Sequence, residues 1–159
     1  MRIYRDYKVL VAFLILALTL PALAVLSKGD KAPAFKLNNL DGKTVSLSDI
    51  LKPQKKQAPK AVLIDFWASW CGPCRNSLPH VQQLHEKYGK KGLVVVGISV
   101  DKKPASAKSV AKKNKLTYTL LSDPRGETAR NYSVRYLPTM YLLDGKGQID
   151  LVFTGYSAD

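Results

Sequence analysis

The segment that most restricts the fold runs Ala61-Val62-Leu63-Ile64-Asp65-Phe66-Trp67 and leads at once into Ala68-Ser69-Trp70-Cys71-Gly72-Pro73-Cys74. A run that is apolar but for one aspartate, without alternation, predicts a strand buried on both faces in the middle of a sheet. Pro73 to Tyr88 then reads as a helix. Leu78, Val81, Leu84 and Tyr88 recur at three- and four-residue spacing and predict one buried face. Lys90, Lys91 and Gly92 close that helix with charge suited to its dipole and a C-cap glycine. A second apolar run, Leu93 to Val100, completes a strand–helix–strand unit, which calls for a sheet with helices packed on its faces.

The rest of the chain fits around that unit. Lys28 to Pro33 reads as a polar linker. Phe35-Lys36-Leu37 and Thr44-Val45-Ser46-Leu47 flank Asp41-Gly42 as a hairpin, and Ser48 is placed to cap a short helix through Leu51. Pro53 to Lys60 is a basic surface loop. Helices are expected over Pro104–Asn114 and Glu127–Tyr132, a short strand over Leu116–Leu121, and a hairpin of Met140–Leu143 with Gln148–Phe153. Ser157-Ala158-Asp159 has the composition of a helix start with no helix after it. One apolar sheet face is then left without a cover, and we expect a C-terminal helix to be missing and the sequence to belong to a longer protein.

The two cysteines, three residues apart, are the only ones in the chain. That count excludes a disulfide-dense scaffold and a four-cysteine zinc site within one chain. The pair is a redox dithiol or half a metal site. The metal reading lacks a second ligand pair, because His80 and His85 lie on the same helix as the cysteines. Haem attachment through C-x-x-C-H fails because residue 75 is Arg. A strand ending at Trp67 and a helix beginning near Pro73 put Cys71 at a helix N-terminus, where free N–H groups and the dipole favour a thiolate, the reactive form. Cys74 lies within one turn and can close a disulfide with it. Gly72 adds little bulk, and Pro73 suits a first turn. Cys71 attacking a partner disulfide, and Cys74 then resolving the mixed disulfide, is the chemistry expected; run backwards it oxidises a dithiol.

Met1–Lys8 is short and basic, Val9–Leu20 is apolar apart from Thr19, and Pro21-Ala22-Leu23-Ala24 carries an A-x-A pattern. This is the grammar of a secretory signal, and the apolar stretch continues to Leu26, near the lower limit for an uncleaved anchor. We read 1–26 as a signal peptide or membrane anchor and 29–159 as one exported domain. The formal net charge is +13. Lysines 102, 103, 108, 112, 113 and 115, with 52, 55, 56 and 60, read as solvated faces, with attraction to anionic lipid or an acidic partner as the sharper alternative. Nothing resembles a nucleic-acid-binding motif.

The stretch Ala61–Arg75 closely resembles the active-site segment of the thioredoxin superfamily. Pro79 matches its helix-kinking proline, Tyr136-Leu137-Pro138-Thr139 its cis-proline loop, and Gly155 a glycine near the site. Gly29–Phe35 and Leu40–Lys43 resemble the N-terminal hairpin of the exported TlpA/ResA-like branch. The resemblance implies an α/β thioredoxin fold, a central mixed sheet flanked by helices with an N-terminal β-hairpin extension. It also assigns roles. Cys71 is the nucleophile and Cys74 the resolving cysteine. Asp65 is the buried acid that manages the Cys74 proton, and Pro138 is cis, freeing the Leu137 backbone to pair with a substrate strand. Trp70, Gly72 and Pro73 form the substrate-facing rim; Trp67 is more readily a core residue. A carboxyl in an apolar strand has a raised pKa and can accept a proton near neutrality, although buried acids are also found in purely structural roles. Ser77 stands where many members carry a glutamate, which leaves Asp65 as the acid at the site.

The function implied is a reductase of protein disulfides in the periplasm or on the outer face of the inner membrane. It would need no cofactor and would draw electrons from a membrane donor, with apocytochrome c among the substrates of such proteins. A disulfide-forming oxidase, a peroxidase (whose Thr-x-x-Cys pattern is absent) and a redox-inactive binding or chaperone module that holds copper are the alternatives.

Overall fold

The computed structural model describes residues 25–53 and 58–157. The leader expected over 1–26 therefore lies, through residue 24, outside the described residues, as do Ala158 and Asp159. The elements in chain order are β1 (Lys36–Asn39), β2 (Thr44–Ser46), α1 (Leu47–Leu51), β3 (Ala61–Trp67), α2 (Gly72–Tyr88), a single 3₁₀ turn (Gly89–Lys91), β4 (Leu93–Ser99), α3 (Pro104–Lys113), β5 (Thr119–Ser122), α4 (Glu127–Asn131), β6 (Thr139–Asp144) and β7 (Ile149–Thr154). The strands form one seven-stranded sheet in the order β2-β1-β5-β4-β3-β6-β7. Strands β3, β4 and β5 run parallel, and β6 lies antiparallel to β3 and β7 to β6. The hairpin β1–β2 extends the sheet by pairing antiparallel to β5. This is the mixed sheet with an N-terminal hairpin that the resemblance implied.

The lack of alternation in β3 has a direct cause, since both of its faces are covered. Val62, Ile64 and Phe66 point into one core with Phe35, Tyr132, Tyr141 and Leu143. There the rings of Phe66 and Tyr132 lie 5.1 Å apart and those of Tyr132 and Tyr141 5.2 Å apart. Leu63 and Trp67 point the other way. Leu63 packs with Val81 of α2 and with Val95 and Tyr118, and Trp67 packs with Cys71, Cys74 and Leu78. Asp65 sits between them on that second face, flanked in register by Gly97 of β4 and Met140 of β6.

Three local expectations need correction. The cap of α1 is Ser46 and not Ser48: its Oγ accepts from the Asp49 amide at 3.1 Å, and Leu47 is already helical. Residues 28–33 are not a free linker. Gly29 N–H donates to Ile149 O, Ala32 N–H to Gly147 O, and Ile149 N–H to Asp30 O, which ties the segment to the β6–β7 turn. Leu84 is not on a buried face. It is 39% exposed, because the sheet surface beneath the end of α2 is an open apolar groove lined by Leu63, Leu142 and Phe153.

Candidate active site

The C-terminal ends of the parallel strands β3 and β4 carry the site. The chain leaves β3 at Trp67, turns through Ala68–Trp70, and enters α2 with Cys71 as the N-cap. The turn is anchored from the neighbouring strand. Asp101, 3% exposed, accepts from Ser69 N–H at 2.9 Å, from Ser69 Oγ at 2.6 Å and from Ser99 Oγ at 2.7 Å. Val100 N–H donates to Trp67 O at 3.0 Å. This anchor was absent from the sequence reading. Its signal is a polar residue closing an apolar parallel strand at the sheet edge where such folds gather their sites. Asp101→Ala leaves three donors without their acceptor, so we expect a loss of about 2–4 kcal/mol in urea unfolding. A change within about 0.5 kcal/mol, the usual range for a surface substitution, would show that the anchor is dispensable.

Cys71 and Cys74 are joined by a disulfide, with Cα atoms 5.2 Å apart. Cys71 Sγ accepts from the Cys74 amide at 3.1 Å. One of the unpaired N–H groups at the mouth of α2 thus points at the sulfur, an arrangement that favours a negative charge there once the pair is reduced. Cys74 is fully buried and Cys71 nearly so. Pro73 lies in the first turn, as expected, and Pro79 lies inside the helix. A side chain at Gly72 would meet open space, so this position adds no bulk at the sulfurs. Ser77, at the position noted for its missing glutamate, is buried and donates its hydroxyl to Cys74 O at 2.9 Å.

The rim is apolar and uneven. Trp70 is 68% exposed, and Trp67 is fully buried. The Leu137–Pro138 bond is cis, and Leu137 packs against the cluster that holds both cysteines. Gly155 N–H donates to Pro138 O at 2.8 Å, placing that glycine against the same loop. Tyr136, not singled out from the sequence, is as exposed as Trp70.

Asp65 is wholly buried, and among the described residues neither carboxyl oxygen has a hydrogen-bond partner. Burial in this apolar setting pushes its pKa up from 3.8 to about 7. A neutral carboxyl is therefore the favoured form below neutrality, and a proton can be gained or lost there in the working range of most proteins. Among the described residues no group of three or more His, Cys, Asp or Glu side chains is placed to hold a metal ion. His80 is exposed on α2 with its ring 5.6 Å from Tyr156, and His85 is half-buried with its ring 6.0 Å from Tyr118. The lysines of α3 are exposed; Lys108 pairs with Asp41 at 2.8 Å in a solvent-facing contact that contributes little to stability.

The comparisons with known proteins bear on the same region. Residues 28–152 match the AhpC/TSA family. The chain is similar to the thioredoxin-like protein YneN of Bacillus subtilis, with 36% identity over 133 residues, 82% of this chain and 73% of that one. It is also similar to the thiol–disulfide oxidoreductase ResA of Bacillus thuringiensis, with 31% identity over 121 residues, 76% of this chain; there the chain spans 66% of the relative's length. Among solved structures, one described as a thiol:disulfide interchange protein DsbE from Chlorobium tepidum superposes with a TM-score of 0.75 at 40% identity, covering 84% of this chain and 89% of that one. The thioredoxin domain of a thiol–disulfide oxidoreductase from Bacteroides vulgatus gives 0.72 at 25% identity, over 82% and 91% of the two chains.

Proposed function

Given that this chain belongs to the AhpC/TSA family, with thioredoxin-like proteins named thiol–disulfide oxidoreductases as its relatives, we propose that it is a thiol–disulfide oxidoreductase that reduces disulfides of exported proteins. The observation that carries this reading is the Cys74 N–H aimed at Cys71 Sγ at the mouth of α2, with Cys74 buried behind it. Cys71 thiolate attacks a partner disulfide; the partner's S–S bond breaks, a mixed disulfide with Cys71 forms, and one partner sulfur leaves as a thiolate. Cys74 gives its proton to the Asp65 carboxylate, attacks Cys71 Sγ and forms the Cys71–Cys74 bond, releasing the second partner sulfur. The partner has then gained two electrons and the enzyme has lost two. A membrane-bound dithiol donor is needed to reduce the enzyme again.

Trp70 and Tyr136 give the site an apolar rim suited to an unfolded or extended polypeptide, and Leu137 offers its backbone beside the sulfurs. Gly72 and Pro73 complete the approach. The basic leader with its A-x-A pattern supports a place outside the cytoplasm, in the periplasm or held at the membrane by an uncleaved 1–26 segment. No helix among the described residues is long and apolar enough to cross a membrane. The apocytochrome c dithiol–disulfide motif is the substrate we place first.

The test is capture by a Cys74→Ser variant in the exported compartment. The expected result is a set of dithiothreitol-sensitive mixed disulfides through Cys71, with apocytochromes among them. No captured partner, together with a reduction potential nearer about −120 mV than about −270 mV, would reject the reductase reading.

A further inference from the structure

The two long helices begin with the wrong charge. The positive end of a helix dipole favours acidic side chains in the first turn and disfavours basic ones. The short helices α1 and α4 follow that preference, with Asp49 and Glu127 in their first turns. Helices α2 and α3 have no acid there. Arg75 closes the first turn of α2, its N–H bonded to Cys71 O at 3.1 Å. Lys103 is the N-cap of α3, without a side-chain capping bond, and Lys102 precedes it. Both helices start at the sheet edge that carries the cysteines. Lys102 and Lys103 directly follow Asp101, whose carboxylate grips Ser69 in the turn before Cys71. A fourth cation, Arg135, precedes Tyr136 and the cis Leu137–Pro138 bond, in the loop whose Leu137 packs against the cysteine cluster. All four side chains belong to exposed residues, and none is in an ion pair among the described residues. The carboxylates of that edge do not answer them. Asp101 and Asp123 are buried and accept from backbone N–H groups, of Ser69 and of Glu127 and Ala129 respectively. Glu127 is held by Arg125 at 2.7 Å. Conflicts of this kind between local preference and sequence gather at functional sites.

We propose that the active-site face docks acidic polypeptide: carboxylates flanking the partner's disulfide meet Arg75, Lys102, Lys103 and Arg135, while the exposed rings of Trp70 and Tyr136 cover the apolar part of the segment. The inference rests on the exchange chemistry proposed above and names the partner class of that site. A lipid surface would satisfy the cations but brings no disulfide to Cys71, whereas a polypeptide brings both. Opposite charges speed the encounter and fix the direction in which the segment lies. Salt screens the attraction over about 10 Å at 0.1 M. Lys112 and Lys113, in the last turn of α3, lie about 14–15 Å from Lys103 along the helix axis, beyond that range. They add to the net charge and not to this surface.

The test is binding of two matched peptides to the oxidised full chain, read from the indole N–H resonance of Trp70. Each peptide is closed by a thioether in place of the disulfide, and the two differ only in carrying glutamates or lysines beside it. The glutamate peptide is expected to bind at least about tenfold more tightly in low salt, and the ratio of affinities to approach one at about 0.5 M salt. In Lys102→Glu/Lys103→Glu the ratio should fall to about one or invert. Arg135→Glu, on a separate segment, should lower it too, so the result does not depend on one variant's folding. Lys112→Glu/Lys113→Glu changes the net charge by the same amount as the first pair and should keep the wild-type ratio. Equal affinities for the two peptides in wild type, or the same ratio in both lysine double variants, would overturn the proposal. Weaker binding of Lys102→Glu/Lys103→Glu to phosphatidylglycerol vesicles, with equal peptide affinities, would overturn it in favour of a lipid surface. The thioether cannot be reduced. A protein that shows the preference but reduces no disulfide therefore contradicts the reductase reading alone.

Discussion

Cys71→Ser is expected to lower disulfide exchange to the uncatalysed background, a loss of roughly a thousandfold or more, since a serine hydroxyl is not ionised near neutrality and forms no mixed disulfide. The measurement is reduction of a protein disulfide such as that of insulin, with the protein recycled by excess dithiol. The fold should survive. A cross-link across so short a loop contributes little to stability, and Cys71 is the N-cap of α2, a position that serine suits. The substitution also separates two classes of function. A binding or chaperone module on the same fold would keep its capacity in Cys71→Ser, so activity that persists unchanged would contradict the enzymatic account. Cys74→Ser should behave differently, stopping at the mixed disulfide after one attack.

Asp65→Asn is expected to make the protein more stable at neutral pH while slowing it. The folded carboxyl titrates at about 7, and the ordinary value is 3.8. Between those two values the folded protein keeps a proton that the unfolded chain has shed, so stability falls as pH rises across that window and levels off above it. Each pH unit costs about 1.4 kcal/mol, or about 4 kcal/mol over the whole window. Asparagine has no such proton to lose. At pH 7.5 the variant should gain roughly 1–4 kcal/mol in urea unfolding, and the decline from pH 4 to 7 should flatten. The resolving step, deprived of its proton acceptor, should slow by about a hundredfold, the lower end of the range for general-base catalysis. An unaltered stability profile would mean that Asp65 titrates normally and that its burial has been compensated.

These two predictions concern residues that the sequence made conspicuous, and the reason is local. Strand β3 is apolar on both faces because both are covered, so a single aspartate within it stands out. A strand meeting a helix at Cys-Gly-Pro-Cys locates the reactive sulfur without knowledge of the rest of the fold. What escaped the sequence depends on pairings between distant segments. Gly97 lies beside Asp65 only through the β3–β4 register, and Tyr118 arrives from beyond α3. Ser69 and Asp101 meet because two strand ends are adjacent. Residues 28–33 looked like a linker because their hydrogen bonds are to residues 147–149, more than a hundred positions away. Helical periodicity at Leu84 identified the correct stripe of α2, yet the extent of sheet beneath that stripe is a property of the whole topology.

The account depends on a sulfur whose charge is stabilised by the start of α2. The most direct measurement is the pH dependence of Cys71 alkylation in the reduced protein, read together with ultraviolet thiolate absorbance. We predict half-ionisation of Cys71 at or below about pH 7.5, in the range of activated cysteines at helix N-termini. Half-ionisation at about 8.5 or higher, as for a free cysteine, would contradict it.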